Sequence, residues 1–195
     1  MEGEAGHAGQ AGLGPRLRLV REQRGLSVRE LARRVSCSAS LISQIERGLS
    51  APSAGVLYSL ATELDASLDY LFGVRPAGGL CPVQRAGSRR VIDLASGVRW
   101  ERLTRAADDR VDFLEVIYQP GGHSTDSRQP LRHDGHEYGV ILSGRLRARV
   151  GFDSYELGPG DSIAFDSAIP HEYENTSAAG VHAIWVVVHD RPGLA

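Results

Sequence analysis

The chain of 195 residues contains no lysine, so arginine carries every positive charge outside histidine. Basic and acidic residues nearly balance, and the formal net charge is -2 at pH 7. This balance argues against a protein that coats nucleic acid along its whole surface, although it allows a local basic patch. Two cysteines, Cys37 and Cys81, are too few for a disulfide framework. We expect both thiols to be reduced, as in a cytoplasmic protein.

Long hydrophobic runs are also missing from the chain. The longest apolar run, AIWVVV at 183–188, has the length of a β-strand and is too short to span a membrane. Residues 1–13 are rich in Gly and Ala and lack the apolar core of a signal peptide, so we predict a disordered leader. The sequence therefore predicts a cytoplasmic protein without a membrane partner.

The period of the hydrophobic pattern changes along the chain. From Pro15 to Phe72, apolar residues recur at three- and four-residue steps, which predicts helices. Ser27 and Ser38 are candidate N-caps, and a glycine stands where several helices should end. The predicted helices are roughly 15–24, 27–35, 38–47, 53–64 and 67–72.

The second half of the chain has the pattern of a β domain. Residues 74–90 are rich in Gly and Pro and lack periodicity, which predicts a linker. Beyond them, six or more short β-rich runs are separated by Gly, Pro, Asp or Ser, with no helix between them. This arrangement predicts a jelly roll or closed barrel over 91–195, after a helical bundle over 14–73. The predicted fold class is α+β, with two domains.

The segment LSVRELARRVSCSASLISQIERGLSAPS resembles the lambda-repressor-like, or XRE, helix-turn-helix family. The resemblance implies a five-helix bundle that binds double-stranded operator DNA. A short turn at 36–37 would fix two helices at a steep angle, so that the second projects into the major groove. The residues that carry the resemblance are Leu31, Ala32, Ile42, Ile45, Glu46 and Gly48.

The outward face of the third helix is a candidate DNA-reading surface. Ser40 and Gln44 are four residues apart and lie on one side of a helix. Glutamine can pair with adenine through two hydrogen bonds, and serine can bond base edges or phosphate. A solvated bundle used only for dimerisation is the alternative, and the small polar face with Gln44 argues against it. The predicted DNA-binding residues are Arg29, Ser38, Ala39, Ser40, Ser43, Gln44 and Arg47, and Arg33 and Arg34 are further candidates for phosphate contacts.

The β-rich half resembles the cupin family over about 110–190, in the form of small cupins fused behind XRE helix-turn-helix modules. A first motif is carried by His133, Gly135, Glu137 and Gly144. The second is carried by Pro159, Gly160, Asp161, Pro170, His171 and Asn175. The resemblance implies a barrel whose interior forms a ligand pocket, and Leu131 stands where the family often has a further histidine ligand.

His133, Glu137 and His171 are the candidate metal ligands. His133 and Glu137 are an even number of residues apart, so on one strand both would face the barrel interior. Two imidazoles and one carboxylate form the ligand set of non-haem Fe(II) sites, and Zn or Mn fits the same donors. One divalent metal is therefore the predicted cofactor.

Two other interpretations of these three residues stay open. They can form a polar cluster that binds an effector directly, or they can be relics of a metal site that now satisfy one another. The candidate aromatic residues for a pocket wall are Phe113, Tyr118, Tyr138, Phe165 and Trp185. The other histidines considered, His123, His136 and His182, are expected at the surface or in structural roles.

Together the two halves predict a dimeric transcription regulator whose β domain senses a small molecule. Dimerisation is expected because one short helix makes too few base contacts for specific binding. The alternative is a non-haem iron oxygenase or epoxidase of the helix-turn-helix-cupin type, with the two histidines and the glutamate holding iron. Such an epoxidase uses a lysine toward its anionic substrate, and this chain has none. A cupin-type isomerase would leave the helical module without a role. We predict a regulator without catalytic residues.

Overall fold

The computed structural model describes residues 12–74, 82–105, 107–108, 110–125 and 130–189. The helices are α1 (Leu13–Gln23), α2 (Val28–Arg34), α3 (Ala39–Glu46), α4 (Ala54–Glu63) and α5 (Leu68–Phe72). The strands are β1 (Val91–Leu94), β2 (Val98–Arg102), β3 (Val111–Tyr118), β4 (His136–Ser143), β5 (Leu146–Val150), β6 (Asp153–Leu157), β7 (Ser162–Asp166), β8 (His171–Glu174) and β9 (Val181–Val188). Of the leader predicted over 1–13, residues 1–11 lie outside the described residues, as does Cys81, and Leu13 already belongs to α1.

Serine side chains begin four of the helices. Each serine hydroxyl accepts a hydrogen bond from the backbone N–H three residues later, at 3.1 to 3.4 Å. These bonds satisfy donors that the first turn of a helix leaves without partners. The four caps are Ser27, Ser38, Ser53 and Ser67.

The helix α1 begins two residues before the predicted start at Pro15. A proline in the first turn removes no helical hydrogen bond, so Pro15 does not oppose this earlier start. At the other end of the bundle, Gly73 has φ 75° directly after α5. This left-handed conformation ends the helix, as predicted. Among the described residues, no helix is long and apolar enough to cross a membrane.

The strands form two antiparallel sheets that face each other. One has six strands in the order β1-β2-β3-β9-β4-β7, and the other has three in the order β6-β5-β8. Inward residues of β2, β3, β4, β8 and β9 fill the space between the sheets, and large aromatic side chains such as Trp100, Tyr118, Tyr173 and Trp185 are buried there. The predicted α+β class, with a helical bundle followed by a β-rich cupin region, is confirmed.

The helix α4 belongs to two hydrophobic cores at once. Its residues at spacings of three and four, Ala54, Leu57, Tyr58 and Ala61, pack in the core of the barrel. Leu60, and Leu64 at the C-cap, lie in the core that contains Ile42 and Ile45 of α3. Tyr58 and Leu60 are two positions apart at about 100° per residue, so they lie on nearly opposite faces of α4. The helix α4 therefore takes part both in the core that includes α3 and in the core of the barrel.

A buried ion network makes a second junction between α5 and the barrel. Arg102 of β2 is fully buried, and its Nε lies 2.7 Å from Asp69 Oδ1 of α5. Its Nη1 donates to Asp112 Oδ1 at 2.6 Å. The Nε–H itself is aligned on Thr104 Oγ1, so the contact with Asp69 Oδ1 is an ion pair without an aligned hydrogen bond. Burial raises the pKa of Asp69, and the positive charge of Arg102 opposes that rise.

Candidate metal centre and DNA-reading surface

The helix α3 presents the polar face that the sequence predicts. Ile42 and Ile45 are buried on its inner side. Gln44 Nε2 donates a hydrogen bond to Ser40 Oγ at 3.3 Å, so both side chains lie on the same outer side. An amide held in this way is oriented before it meets a base edge, which lowers the entropy lost on binding.

The other predicted DNA-binding residues have different surroundings. Ser38 uses its hydroxyl as the N-cap of α3, and Ala39 packs partly against the helical core. Ser43 is half-buried, and its carbonyl accepts a hydrogen bond from Arg47 Nε at 3.1 Å. The polar end of the surface is therefore centred on Ser40 and Gln44.

Two arginines beside α3 remain available for phosphate. Arg29 and Arg47 are exposed, and no carboxylate among the described residues pairs with either. Arg33 and Arg34, in contrast, both form ion pairs with Glu30, at 2.8 and 2.7 Å. A phosphate would have to compete with that carboxylate for them, so Arg29 and Arg47 are the better placed of the four arginines predicted to contact phosphate.

The three candidate metal ligands meet at one end of the barrel. The ligand atoms of His133, Glu137 and His171 all lie within 4.8 Å of one another. Glu137 Oε1 is 2.7 Å from His133 Nε2 and 3.0 Å from His171 Nε2. Glu137 points inward from β4, and His171 is the first residue of β8.

The expectation that His133 and Glu137 share one strand is wrong. His133 lies in the loop before β4, which begins at His136. Gly135 turns this loop with φ 109°, and a Cβ at this position would lie 2.1 Å from the carbonyl oxygen of Val188. No other residue type fits so close to that backbone. The glycine of the motif, and not an even spacing, returns His133 to the barrel.

Hydrogen bonds at the Nδ1 atoms orient both imidazoles. His171 Nδ1 lies 2.9 Å from the carbonyl of Ile169, and His133 Nδ1 lies 3.3 Å from the carbonyl of Asp134. A carbonyl accepts only from N–H, so each Nδ1 carries a proton and a neutral ring keeps its lone pair on Nε2. Both Nε2 atoms then face Glu137 Oε1. This is the arrangement in which protein histidines hold metals.

The second carboxylate oxygen of Glu137 is held from the opposite side. Tyr173 Oη donates to Glu137 Oε2 at 2.7 Å, and Trp185 Nε1 donates to the same atom at 2.6 Å. Gly139 makes room for the indole, because a Cβ there would lie 2.6 Å from the Trp185 ring. These two donors leave Oε1 turned toward the histidines.

The charges within this cluster reinforce one another. Burial favours a high pKa for Glu137, but the hydrogen bond with His133 and the close approach of both imidazoles outweigh it and lower the pKa. Burial lowers the pKa of His133, and the hydrogen bond and charge of Glu137 outweigh that effect and raise it. Glu137 is therefore an ionised carboxylate that attracts positive charge into a buried site.

The five aromatic residues predicted for a pocket wall divide between two faces. Tyr118 and Trp185 are buried in the barrel, and the Phe165 ring contacts His171 with centroids 5.0 Å apart. Phe113 and Tyr138 lie on the outer face of the six-stranded sheet, so their assignment to the pocket is wrong. They alternate with inward residues on β3 and β4, and the period of two alone cannot say which set faces inward.

Leu131 and His136 lie as the sequence suggests. Leu131 is buried and pairs with His171 through backbone hydrogen bonds, so its position supplies no ligand. His136 is exposed and points away from the cluster.

Two cavities adjoin the cluster. A cavity of about 30 Å³ inside the barrel is lined by Glu137, Tyr118 and Trp185, among others. A larger cleft, about 250 Å³, lies between the barrel and the α4–α5 region and includes His133 in its wall. The interior space suits a water molecule or an ion, whereas the cleft approaches the size of small-molecule sites.

Sequence reasoning missed two residues that border this site. Tyr173 follows His171 by two positions on β8, so the strand period could have placed both on one face. Tyr58 belongs to α4, and its ring stacks on His133 with centroids 4.7 Å apart. No sequence signal connects Tyr58 with the barrel, because the contact arises from the packing of one module on the other.

Comparisons with known proteins agree with both halves of the structure. The Helix-turn-helix model HTH_3 matches residues 17–71, and the Cupin domain model Cupin_2 matches residues 114–187. The HTH-type transcriptional regulator PuuR of Escherichia coli (strain K12) is 30% identical over 167 residues, which are 85% of this chain and 88% of the relative. SutR, an HTH-type transcriptional regulator of the same strain, is 24% identical over 166 residues, with the same shares of both chains.

A solved structure shows the same fold over nearly the whole chain. The HTH_3 family transcriptional regulator from Vibrio cholerae has a TM-score of 0.67 and 24% identity, and the match covers 94% of this chain and 98% of that chain. With the two family matches and the relatives aligned over most of their length, this chain belongs to the XRE-type HTH transcriptional regulators with a cupin domain, which regulate transcription by binding DNA.

Proposed function

We propose that this regulator binds operator DNA as a homodimer through α3 and that its DNA affinity depends on a divalent metal held by His133, Glu137 and His171. One observation supports the proposal of a metal. His171 Nε2 is fully buried and has no aligned hydrogen-bond partner among the described residues. A buried nitrogen lone pair that faces a carboxylate oxygen is unfavourable unless a proton or a metal ion lies between the two atoms.

A single proton provides a partner for fewer of the three ligand atoms than a metal ion does. A proton on His133 Nε2 can form one hydrogen bond with Glu137 Oε1, but it leaves the lone pair of His171 without a partner. An ion of Fe, Zn or Mn can be coordinated by all three ligand atoms and keep further coordination positions open. When bound, the metal supplies a Lewis acid at the edge of the cleft. The chain's own residues orient the ligands and hold the carboxylate.

Metal content and DNA binding test this proposal together. We expect about one metal ion per chain in the purified full-length protein, and a genomic selection should yield duplexes that it binds sequence-selectively. Removing the metal with a chelator should change the affinity for those duplexes, and restoring the metal should reverse the change. Selected DNA whose affinity is the same with and without metal would contradict the metal-dependent part.

The small-molecule effector fits the interdomain cleft better than the barrel interior. The interior cavity of about 30 Å³ is lined by aromatic rings and is too small for a metabolite. The cleft of about 250 Å³ has Tyr58, Thr62 and Ser67 on one wall and Asp112 and His133 on the other. A ligand there would contact both modules and could favour one arrangement of them.

A non-haem iron oxygenase is the second candidate, because two histidines and one carboxylate on one face are its ligand set. PuuR and SutR, to which this chain is similar, are transcriptional regulators, and this similarity favours regulation. Stoichiometric iron, oxygen consumption with a small substrate and no selected DNA would reverse this preference.

Replacing Gln44 with alanine should weaken binding to the selected operator by about 1–3 kcal/mol and relax the preference at one base pair. The substitution removes the amide that Ser40 orients while leaving Ile42 and Ile45 in the core. Gel-shift titration against the operator and its single-base variants measures both effects. Gln119→Ala, on an exposed loop of the barrel, is the matched control. An unchanged base profile for Gln44→Ala would remove Gln44 from the reading surface.

The outer face of the six-stranded sheet is the surface we propose for the second copy. Phe113, Val186 and Tyr138 form one row across β3, β9 and β4. Phe113 and Tyr138 are 37% and 49% exposed, although both are large and hydrophobic. Exposed apolar faces of this kind mark interfaces, and a regulator that reads paired half-sites requires a two-fold partner. An isologous pairing would place this row against itself.

Replacing Tyr138 with aspartate should weaken dimerisation at least about tenfold, or about 1.4 kcal/mol. In a two-fold interface each substitution is present twice, so two carboxylates would lose water and approach each other. Sedimentation equilibrium of the full-length protein measures the change. Phe152→Asp serves as control, because Phe152 is exposed at the turn before β6 in the other sheet. Equal dimerisation by both variants would place the interface elsewhere.

A further inference from the structure

The helix α4 of the DNA-binding module closes the mouth of the cupin barrel. Ala54 and Tyr58 line the interior cavity together with Glu137. The backbone N–H of Gly55 donates to the carbonyl of Ser124 at 3.1 Å, which fixes the start of α4 on the barrel. A Cβ on Gly55 would lie 3.1 Å from Leu131 Cδ2, so the approach is close. The three candidate metal ligands are therefore covered by a helix of the other module.

Tyr58 is the residue of α4 that reaches this cluster. Its ring lies nearly parallel to His133, with an angle of 13° between the planes and 4.7 Å between centroids. Its edge contacts Trp100 with centroids 5.3 Å apart. Tyr58 also lines both cavities, so its ring separates the cleft from the interior space beside Glu137. A ligand that moved along this wall from the cleft toward the carboxylate would meet this ring.

The same helix shares a hydrophobic core with α3, the proposed DNA-reading helix. Leu60, on the face opposite Tyr58, and Leu64 lie in one core with Ile42 and Ile45. A displacement of α4 therefore moves α3 relative to the other helices of the bundle, because close-packed side chains transmit shifts.

We propose that Tyr58 couples metal occupancy of the cluster to the docking of α4. This inference rests on the metal binding proposed above. A metal on His133 Nε2 fixes the plane of the imidazole, and the stacked phenol ring then holds α4 against the barrel. The metal stabilises the docked state because it binds that state more tightly than the undocked one. Tyr58 is thus a positioning residue of the sensor site that the DNA-binding module supplies.

Hydrogen exchange of the full-length protein with and without saturating Co²⁺ tests the coupling. In the parent protein, Co²⁺ should slow exchange of the α4 amides by a factor of about 5–150. In Tyr58→Leu the factor should fall to about 2 or less, because the ring stack is gone. Tyr58→Phe keeps the ring and should behave as the parent does. Tyr155→Leu, which removes an exposed tyrosine of β6, is the matched control.

A parallel Co²⁺ titration, followed by the visible absorbance of the bound ion, separates the two proposals. Retained protection of α4 in Tyr58→Leu, with Co²⁺ bound, would overturn the coupling and leave the metal site intact. Loss of protection in Tyr58→Phe would also overturn it, because the stack persists there. Failure of the parent protein to bind Co²⁺ would overturn both proposals. If Tyr58→Leu does not fold, the ring-free Tyr58→Met, closer in volume, takes its place.

Discussion

Replacing Arg102 with methionine should lower the free energy of unfolding of the full-length protein by about 3–5 kcal/mol. The guanidinium is fully buried between Asp69 of α5 and Asp112 of β3. Methionine fills much of the same volume but removes the counter-charge of Asp69 and leaves Asp112 with His189 as its remaining side-chain partner, at 2.7 Å. Desolvation of an unpaired charge costs more than the packing of the thioether contributes.

Chemical denaturation followed by tryptophan fluorescence measures this loss, because Trp100 and Trp185 both lie in the barrel. The control is Arg147→Met, since Arg147 is 41% exposed and pairs with Glu156 at the surface. An exposed pair of this kind contributes at most about 1 kcal/mol. Equal effects of the two substitutions would show that the buried network does not stabilise the junction of the modules.

Acid should partly rescue the Arg102→Met protein. Burial already raises the pKa of Asp69, and Arg102 opposes that rise in the parent protein. A group whose pKa is higher in the folded state takes up a proton more readily there, so folding becomes more favourable as the pH falls through that pKa. The stability deficit relative to the parent should therefore shrink as the pH decreases toward the ordinary range of aspartate, about 4. A deficit that is constant with pH would contradict an electrostatic origin.

The second large effect is expected from Glu137→Gln, which should weaken Co²⁺ binding by more than about 100-fold. Loss of an outer-shell partner alone costs about 10–100-fold in affinity, and Glu137 is a ligand of the proposed site. Tyr173 and Trp185 both donate to Oε2, so they select the orientation in which the amide oxygen of the glutamine takes that place. The amide NH₂ then takes the place of Oε1 and faces the histidine lone pairs.

This geometry predicts a folded protein without a metal site. The NH₂ group can donate to the Nε2 atoms that the metal would otherwise bind, so no buried donor or acceptor is left alone. Calorimetric titration with Co²⁺ and a thermal melt provide the two measurements. Glu156→Gln, on the exposed strand β6, is the control. Co²⁺ binding by Glu137→Gln within about tenfold of the parent would exclude the carboxylate as a ligand.

The local parts of the fold could be predicted from the sequence. Ser27 and Ser38 start helices because a hydroxyl beside free N–H groups is stabilising wherever it occurs. Gln44 and Ser40 share a face because helical spacing places them there. The cupin motifs identify the three candidate ligands. The even spacing of His133 and Glu137 is the wrong reason for their proximity, since the loop at Gly135 brings His133 to the site. Phe113 and Tyr138 were placed in the pocket because strand alternation does not distinguish the inner face from the outer one.

Local patterns in the sequence specify the two modules, the caps and glycines that bound the helices, and the residue types able to hold a metal. These features depend on interactions between residues a few positions apart, which a linear pattern records. Tertiary packing, in contrast, stacks Tyr58 on His133, directs Tyr173 and Trp185 to Glu137, and places Arg102 between α5 and the barrel. These contacts join residues from separate elements, and they exist because α4 and α5 bury their second faces on the barrel, which no local period specifies.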